Sequence, residues 1–180
     1  MGGTIYFKYL KKLLDSAQND LQLFTAIVDA PFHNKIVATH LDLGIVVFLL
    51  VNKTAGTIDR IALSNTEQAR GAVKMSEKPF AAIKIPIGYE QNMIARAIQT
   101  GEPQVVTDWK YLFAPDLSAR AARFNQAGAG IECSYIYPLK ARDGGALIFS
   151  YFQESKNVTN RHQRFMEAYS KLVAEQLTAK

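Results

Sequence analysis

The sequence predicts an α+β layer fold, a mostly antiparallel sheet with long helices at both ends of the chain. Three observations carry this expectation. Apolar residues recur at spacings of three and four near each terminus. A β-branched apolar run, Ile45 to Val51, is followed after a polar turn by a second extended segment. A later pair of strands closes on the tight turn Asp143-Gly144-Gly145.

Residues 5–28 read as one helix, with Leu10, Leu13, Leu14, Ala17, Leu21, Phe24, Ile27 and Val28 on its inner stripe. Pro31 interrupts that pattern and opens a short helix over 32–40, with Ile36 and Val37 inward and Gly44 as its stop. The run Ile45–Val51 is short, continuous and β-branched, which suits a strand covered on both faces. Asn52-Lys53-Thr54-Ala55-Gly56 turns the chain into a partner strand over 57–63. Residues 66–75 read as a short helix or irregular chain, and 81–87 as a third strand. Residues 90–99 carry a helical stripe that Thr100-Gly101 ends, and 104–107 form a short strand. Trp109, Tyr111 and Phe113 lie in an aromatic loop. Ser118 caps a helix over 119–126, and strands over 131–139 and 146–153 follow. Thr159 caps the last helix, whose stripe is Phe165, Tyr169, Leu172, Val173 and Leu177.

The 180 residues, 48% hydrophobic and 21% charged, suit one domain with a sizeable core. About 1–30 would be the N-terminal helix, 31–155 the sheet core with pocket loops, and 156–180 the C-terminal helix. The net charge of +5 is mild, so neither nucleic acid nor a membrane surface is an expected partner. No apolar run approaches the ~20 residues of a membrane span, and no secretory signal is visible, so a cytoplasmic protein is expected. The single cysteine, Cys133, excludes an intrachain disulfide or a cysteine-built metal centre.

Four segments resemble the GAF domain family, over roughly residues 15–178. They are the strand Leu43-Gly44-Ile45-Val46-Val47-Phe48-Leu49-Leu50-Val51; Gly88, its helix and Thr100-Gly101-Glu102-Pro103-Gln104-Val105-Val106-Thr107-Asp108; the strand Gly130-Ile131-Glu132-Cys133-Ser134-Tyr135-Ile136-Tyr137-Pro138-Leu139; and the Asp143-Gly144-Gly145 hairpin with the closing helix. The resemblance implies a GAF/PAS-like three-layer fold. A central antiparallel sheet of five or six strands would carry the N- and C-terminal helices on one face and a ligand pocket on the other. It implies a sensory or regulatory module that dimerises through its terminal helices.

Thiol and pigment chemistry of that family is not expected here. Its methionine sulfoxide reductases use several cysteines, whereas Cys133 stands alone in a predicted buried strand, where a structural role is expected. Its bilin-binding members attach the pigment to a cysteine at the place held here by Ala121-Ala122, so no covalent bilin is expected and no other cofactor is implied. His33, His40 and His162 form no metal-ligating pattern; His33 and His40 are expected to face solvent. No nucleophile elbow or phosphate loop occurs.

A reversible small-molecule pocket is the remaining candidate. Trp109, Tyr111, Phe113, Arg120, Arg123 and Phe124 are expected to fold over one sheet face. Alternation separates Glu132, Ser134 and Ile136 from Cys133, Tyr135 and Tyr137. The resemblance assigns the Glu132–Ser134–Ile136 side to the pocket and adds Tyr151 from the next strand. Glu132 either meets a cationic or amide ligand, pairs with Arg120 or Arg123, or is exposed at the strand's start. The aromatic loop either lines the ligand or is core under a long connection. The resulting expectation is a non-catalytic regulatory homodimer binding an unidentified small molecule. The alternatives are a dimerisation or partner-docking module with a degenerate pocket, then a reductase.

Overall fold

A computed structural model describes residues 2–141, 143–152, 154 and 157–179, leaving aside the side chains of residues 2–4 and 36. The N-terminal stripe is split between two helices, α1 (Gly2–Asp15) and α2 (Asp20–His33), where one was expected. Asn19 makes the break. Its side chain accepts a 3.0 Å hydrogen bond from the backbone N–H of Gln22, starting a new helix rather than continuing the old one. The restart changes the helical phase. Leu23 is buried and Leu21, expected inside, is 76% exposed.

Pro31 lies inside α2 and does not open the next helix. Helix α3 (Lys35–Leu41) begins instead at a cap made by Asn34, and His33 and His40 are exposed as expected. Val37 is partly buried, while the Ile36 side chain lies outside the described residues. Asp42, in the left-handed region at φ 49°, ends α3 in the place foreseen for Gly44. Gly44 already belongs to strand β1 (Leu43–Asn52). A Cβ there would stand 2.9 Å from the Ile131 side chain, so glycine serves close packing rather than a helix stop.

Strand β1 forms a hairpin with β2 (Thr57–Leu63), which pairs with β3 (Lys84–Pro86). Beyond β3, the 81–87 segment is partly a 3-10 turn over Phe80–Ala82. On its other edge β1 pairs with β6 (Gly145–Tyr151), then β5 (Cys133–Leu139) and β4 (Gln104–Val106). The order is β3-β2-β1-β6-β5-β4, six strands, antiparallel throughout. The expected strand end at Gln153 lies outside the described residues.

Strand alternation sorts the side chains onto two cores. Val46, Phe48, Leu147, Phe149, Tyr151 and Cys133 pack with α1, α2 and α8 (Asn160–Thr178). Ile45, Val47, Leu49, Ile136, Ala146 and Ile148 pack beneath α4 (Glu67–Lys74), α5 (Met93–Thr100), α6 (Lys110–Phe113) and α7 (Ala119–Ala129). Of the expected α8 stripe, Phe165, Tyr169 and Val173 are buried. Thr159 caps α8 as foreseen, with His162 completing a reciprocal capping box. The buried imidazole accepts from the Thr159 backbone N–H at 3.1 Å and donates through Nε2 to the Leu41 carbonyl at 3.0 Å. Among the described residues no helix is long and apolar enough to cross a membrane.

Candidate functional site

A cavity of about 50 Å³ lies between the sheet and the helices over its second face. Its floor comes from alternate residues of the two central strands, Ile45 and Val47 on β1, Ile148 and Ser150 on β6. Trp109, Leu112 and Phe113 cover it from α6 and the turn before it, while Ala72 and Val73 of α4 and Asn125 of α7 form a flank.

The charged group in this apolar wall is Arg60. It alternates in phase with Ile58 along β2, pairs with Leu49 of β1, and so turns inward, where it is only 5% exposed. Its guanidinium sits 4.5 Å from the centre of the Phe113 ring. Nη2 donates to the Leu112 carbonyl at 3.1 Å, and Nη1 has no hydrogen-bond partner. Burial pushes the guanidinium down to about 10, against the pull of the Asp116 charge, so it stays cationic at neutral pH. Asp116 itself is held by Lys78 at 2.8 Å.

A second polar chain reaches the cavity wall. The Trp109 indole Nε1–H donates to Ser134 Oγ at 2.9 Å, and Ser134 Oγ lies 2.7 Å from Ser150 Oγ. The covering segment is tied down at several points. The Gln126 side chain accepts from the Trp109 backbone N–H and donates to the carbonyls of Thr107 and Ile131. Asp108 pairs with Arg123 at 2.8 Å; burial would raise its carboxyl, and hydrogen bonds from Arg123 and the Lys110 backbone hold it below the usual range. Asn92, fully buried, caps α5 and donates to the Ala114 carbonyl at 2.7 Å.

Of the residues expected at a pocket, Trp109, Phe113, Ser134 and Ile136 are buried together on this face. Tyr111, Arg120, Arg123 and Phe124 lie on the outer surface of the covering segment. Lys110 sits over the Tyr111 ring, Arg120 over the Phe124 ring, and Phe124 is 46% exposed. Glu132 is exposed just ahead of β5, the third of its stated alternatives, and contributes nothing to the cavity. Tyr151 must be corrected. It pairs with Cys133 in the β5–β6 register and shares that residue's face, buried among the terminal helices. Ser150, one position earlier, holds the pocket-side place. Arg60 was missed altogether. Its signal was parity with Ile58, a charge in phase with an inward aliphatic.

Cys133 lies on the helix side, away from the cavity. Burial, then the Glu132 charge, pushes its thiol up to about 11, where it is a poor nucleophile. Among the described residues no cluster of histidine, cysteine and carboxylate side chains could hold a metal ion.

No family model matches this chain, and no curated protein matches its sequence. Solved structures match it in shape over nearly its whole length. The GAF domain of a phosphoenolpyruvate-protein phosphotransferase from Coxiella burnetii aligns with a TM-score of 0.67 at 11% identity, covering 98% of this chain and 92% of that one. The chain has the GAF fold. A second phosphotransferase GAF domain, from Acinetobacter, aligns at 0.65 with 8% identity, covering 98% of this chain and 92% of that one. The free methionine-R-sulfoxide reductase of Neisseria meningitidis, solved with its substrate, aligns at 0.59 with 12% identity, covering 99% and 92%. The fold is therefore shared here with domains of phosphotransferases and with a reductase. Identities this low speak for the fold alone.

Proposed function

We propose that this chain is a non-catalytic regulatory GAF module, binding a small molecule in the cavity beneath the 108–127 segment. The observation carrying this reading is Arg60. An unserved cationic N–H inside an apolar wall costs several kcal/mol of lost solvation, roughly, and an aliphatic residue would serve a purely structural core better. Resemblance in fold to GAF domains of phosphotransferases, and to a segment of a methyl-accepting chemotaxis protein, supports a sensory role. A cytoplasmic setting fits the single, undisulfided cysteine. The test is a thermal-shift screen with a broad metabolite panel, followed by the indole resonance of the sole tryptophan, Trp109. Binding should raise the melting temperature and move that resonance; silence across the panel sinks the reading.

Signalling would run through a homodimer of the terminal helices. Ile5 on α1 and Leu21 on α2 are 72% and 76% exposed, apolar positions on the terminal helices that a second copy would cover. Sedimentation should give a dimer that Ile5→Glu with Leu21→Glu converts to monomer.

The small cavity favours a second reading, a dimerisation or docking module whose pocket has closed. Ligand pockets usually enclose about 300–1,000 Å³, and Trp109 and Phe113 occupy much of the space here. Dimerisation intact in Arg60→Met, with no small-molecule response in the parent chain, would favour it. The reductase reading is weakest, because Cys133 is buried on the face opposite the cavity. Turnover of free methionine sulfoxide with a dithiol reductant, lost in Cys133→Ala, would revive it.

A further inference from the structure

Resting on the pocket reading above, we infer that the cavity takes a compact monocarboxylate, its carboxylate on Nη1 of Arg60 and its short aliphatic tail among Ile45, Val47 and Ile148. Three observations select this chemistry. The first is charge. Among the described residues no carboxylate stands within ion-pair distance of Arg60. Asp116 is near enough to act on it through space; Lys78 engages its Oδ1 at 2.8 Å, and its buried Oδ2 has no hydrogen-bond partner. Lys78 is 42% exposed and screened by solvent, so the buried cation without a direct partner at this site is Arg60; an anion serves it and a cation is repelled.

The second is geometry. The guanidinium is held from one side by the Phe113 ring at 4.5 Å and through Nη2 by the Leu112 carbonyl at 3.1 Å. Nη1 is the donor left without a hydrogen-bond partner; it is closed off from water-sized contact, so a carboxylate reaches it as the Leu112–Phe113 cover shifts. A planar carboxylate matches the edge of a guanidinium. Ser150 Oγ, braced by Ser134 at 2.7 Å, adds a hydroxyl to the cavity wall.

The third is size and lining. About 50 Å³ is less than a six-atom monocarboxylate itself fills, so the ligand enters as the Trp109–Phe113 cover gives way, and only a small one can. That excludes a nucleotide, a tetrapyrrole or an acidic peptide. The aliphatic floor favours a carboxylate with a short branched tail over a bare inorganic oxyanion, which would leave those walls without contacts.

The experiment uses the full chain, labelled with ¹⁵N and titrated separately with isobutyrate, its neutral isostere isobutyramide, and nitrate, at constant chloride. The readout is the single indole N–H of Trp109, which reaches the cavity through Ser134 and Ser150. Isobutyrate should shift it saturably and bind at least roughly tenfold more tightly than isobutyramide, the margin expected of a charge-assisted hydrogen bond. Arg60→Lys should weaken isobutyrate binding and Arg60→Met abolish it, both with unchanged circular dichroism. If Arg60→Met does not fold, the acid–amide comparison on the parent chain decides alone. Equal binding of acid and amide overturns the anion assignment and leaves the pocket reading standing. Nitrate binding more tightly than isobutyrate overturns the carboxylate in favour of an inorganic oxyanion. No shift with any of the three also overturns it, and the broad metabolite screen then decides separately whether a pocket exists.

Discussion

The Tyr169 hydroxyl donates a 2.7 Å hydrogen bond to the Ile27 carbonyl, joining the middle of α8 to α2. Ile27 stands four residues before Pro31, so its carbonyl is the one that the proline, lacking an N–H, cannot serve. A buried tyrosine from the far end of the chain thus satisfies the backbone acceptor that a proline inside a helix leaves open.

Removing that hydroxyl should be costly. Tyr169→Phe strands a buried carbonyl and is expected to lower stability by about 1–3 kcal/mol in urea denaturation. Adding Pro31→Ala restores a backbone donor and should recover part of the loss. Strict additivity of the two changes would show that they do not share the Ile27 carbonyl.

Alkaline pH should unfold the helix-side core. Burial, then the charge of Tyr9, pushes Tyr6 up to about 12, and burial carries Tyr151 and Tyr169 well above the ordinary tyrosine value. A folded-state value raised above the unfolded one, about 10, means full stability below that pH and a progressive loss as pH rises past it. Tyrosinate absorbance at increasing pH should therefore show some of the eight tyrosines ionising only together with loss of circular dichroism. Complete ionisation before any unfolding would contradict the burial of Tyr151 and Tyr169.

Helices α4 and α7 cross at glycines. A Cβ on Gly71 would stand 2.2 Å from the Gly128 carbonyl oxygen, and backbone cannot swing aside as a side chain can. Gly71→Ala should force the helices apart and cost about 1–3 kcal/mol, the usual penalty of overpacking. Because Ala72 and Asn125 beside this crossing line the cavity, the Trp109 indole resonance should move as well. An unchanged melting temperature would show that the two helices separate freely.

Cys133 should react only when the fold opens. Its thiol is buried against the terminal helices and pushed up to about 11. Ellman's reagent at neutral pH should label the native chain slowly, at a rate that follows urea-induced unfolding, and label the denatured chain at once. Fast native labelling would mean that the helix layer lifts off the sheet.

Much of the fold was legible in local spacing. The Ile45–Val51 run, both hairpins, the Ser118 and Thr159 caps and the α8 stripe all stand where periodicity and turn residues put them. The misplaced boundaries have local causes that spacing does not reveal. Asn19 competes with helix continuation by bonding its own backbone, and Asp42 adopts the left-handed turn usually left to glycine.

The candidate site divides in the same way. Parity along one strand is a property of that strand, so Ser134 and Ile136 could be separated from Cys133 and Tyr135 without any knowledge of neighbours. Tyr151 could not, because its face depends on which residue of β5 it opposes. The register that sets it against Cys133 is a pairing between two segments. Arg60 shows the same dependence. Alternation with Ile58 turns it inward, but only the packing of Phe113 and Leu112 over the sheet shuts out water and leaves one of its nitrogens unserved. Element identity, capping and strand parity were written in adjacent residues because they arise from backbone geometry over a few positions. Register, burial and the cavity arise from contacts between residues far apart in the chain, and only the folded arrangement decided them.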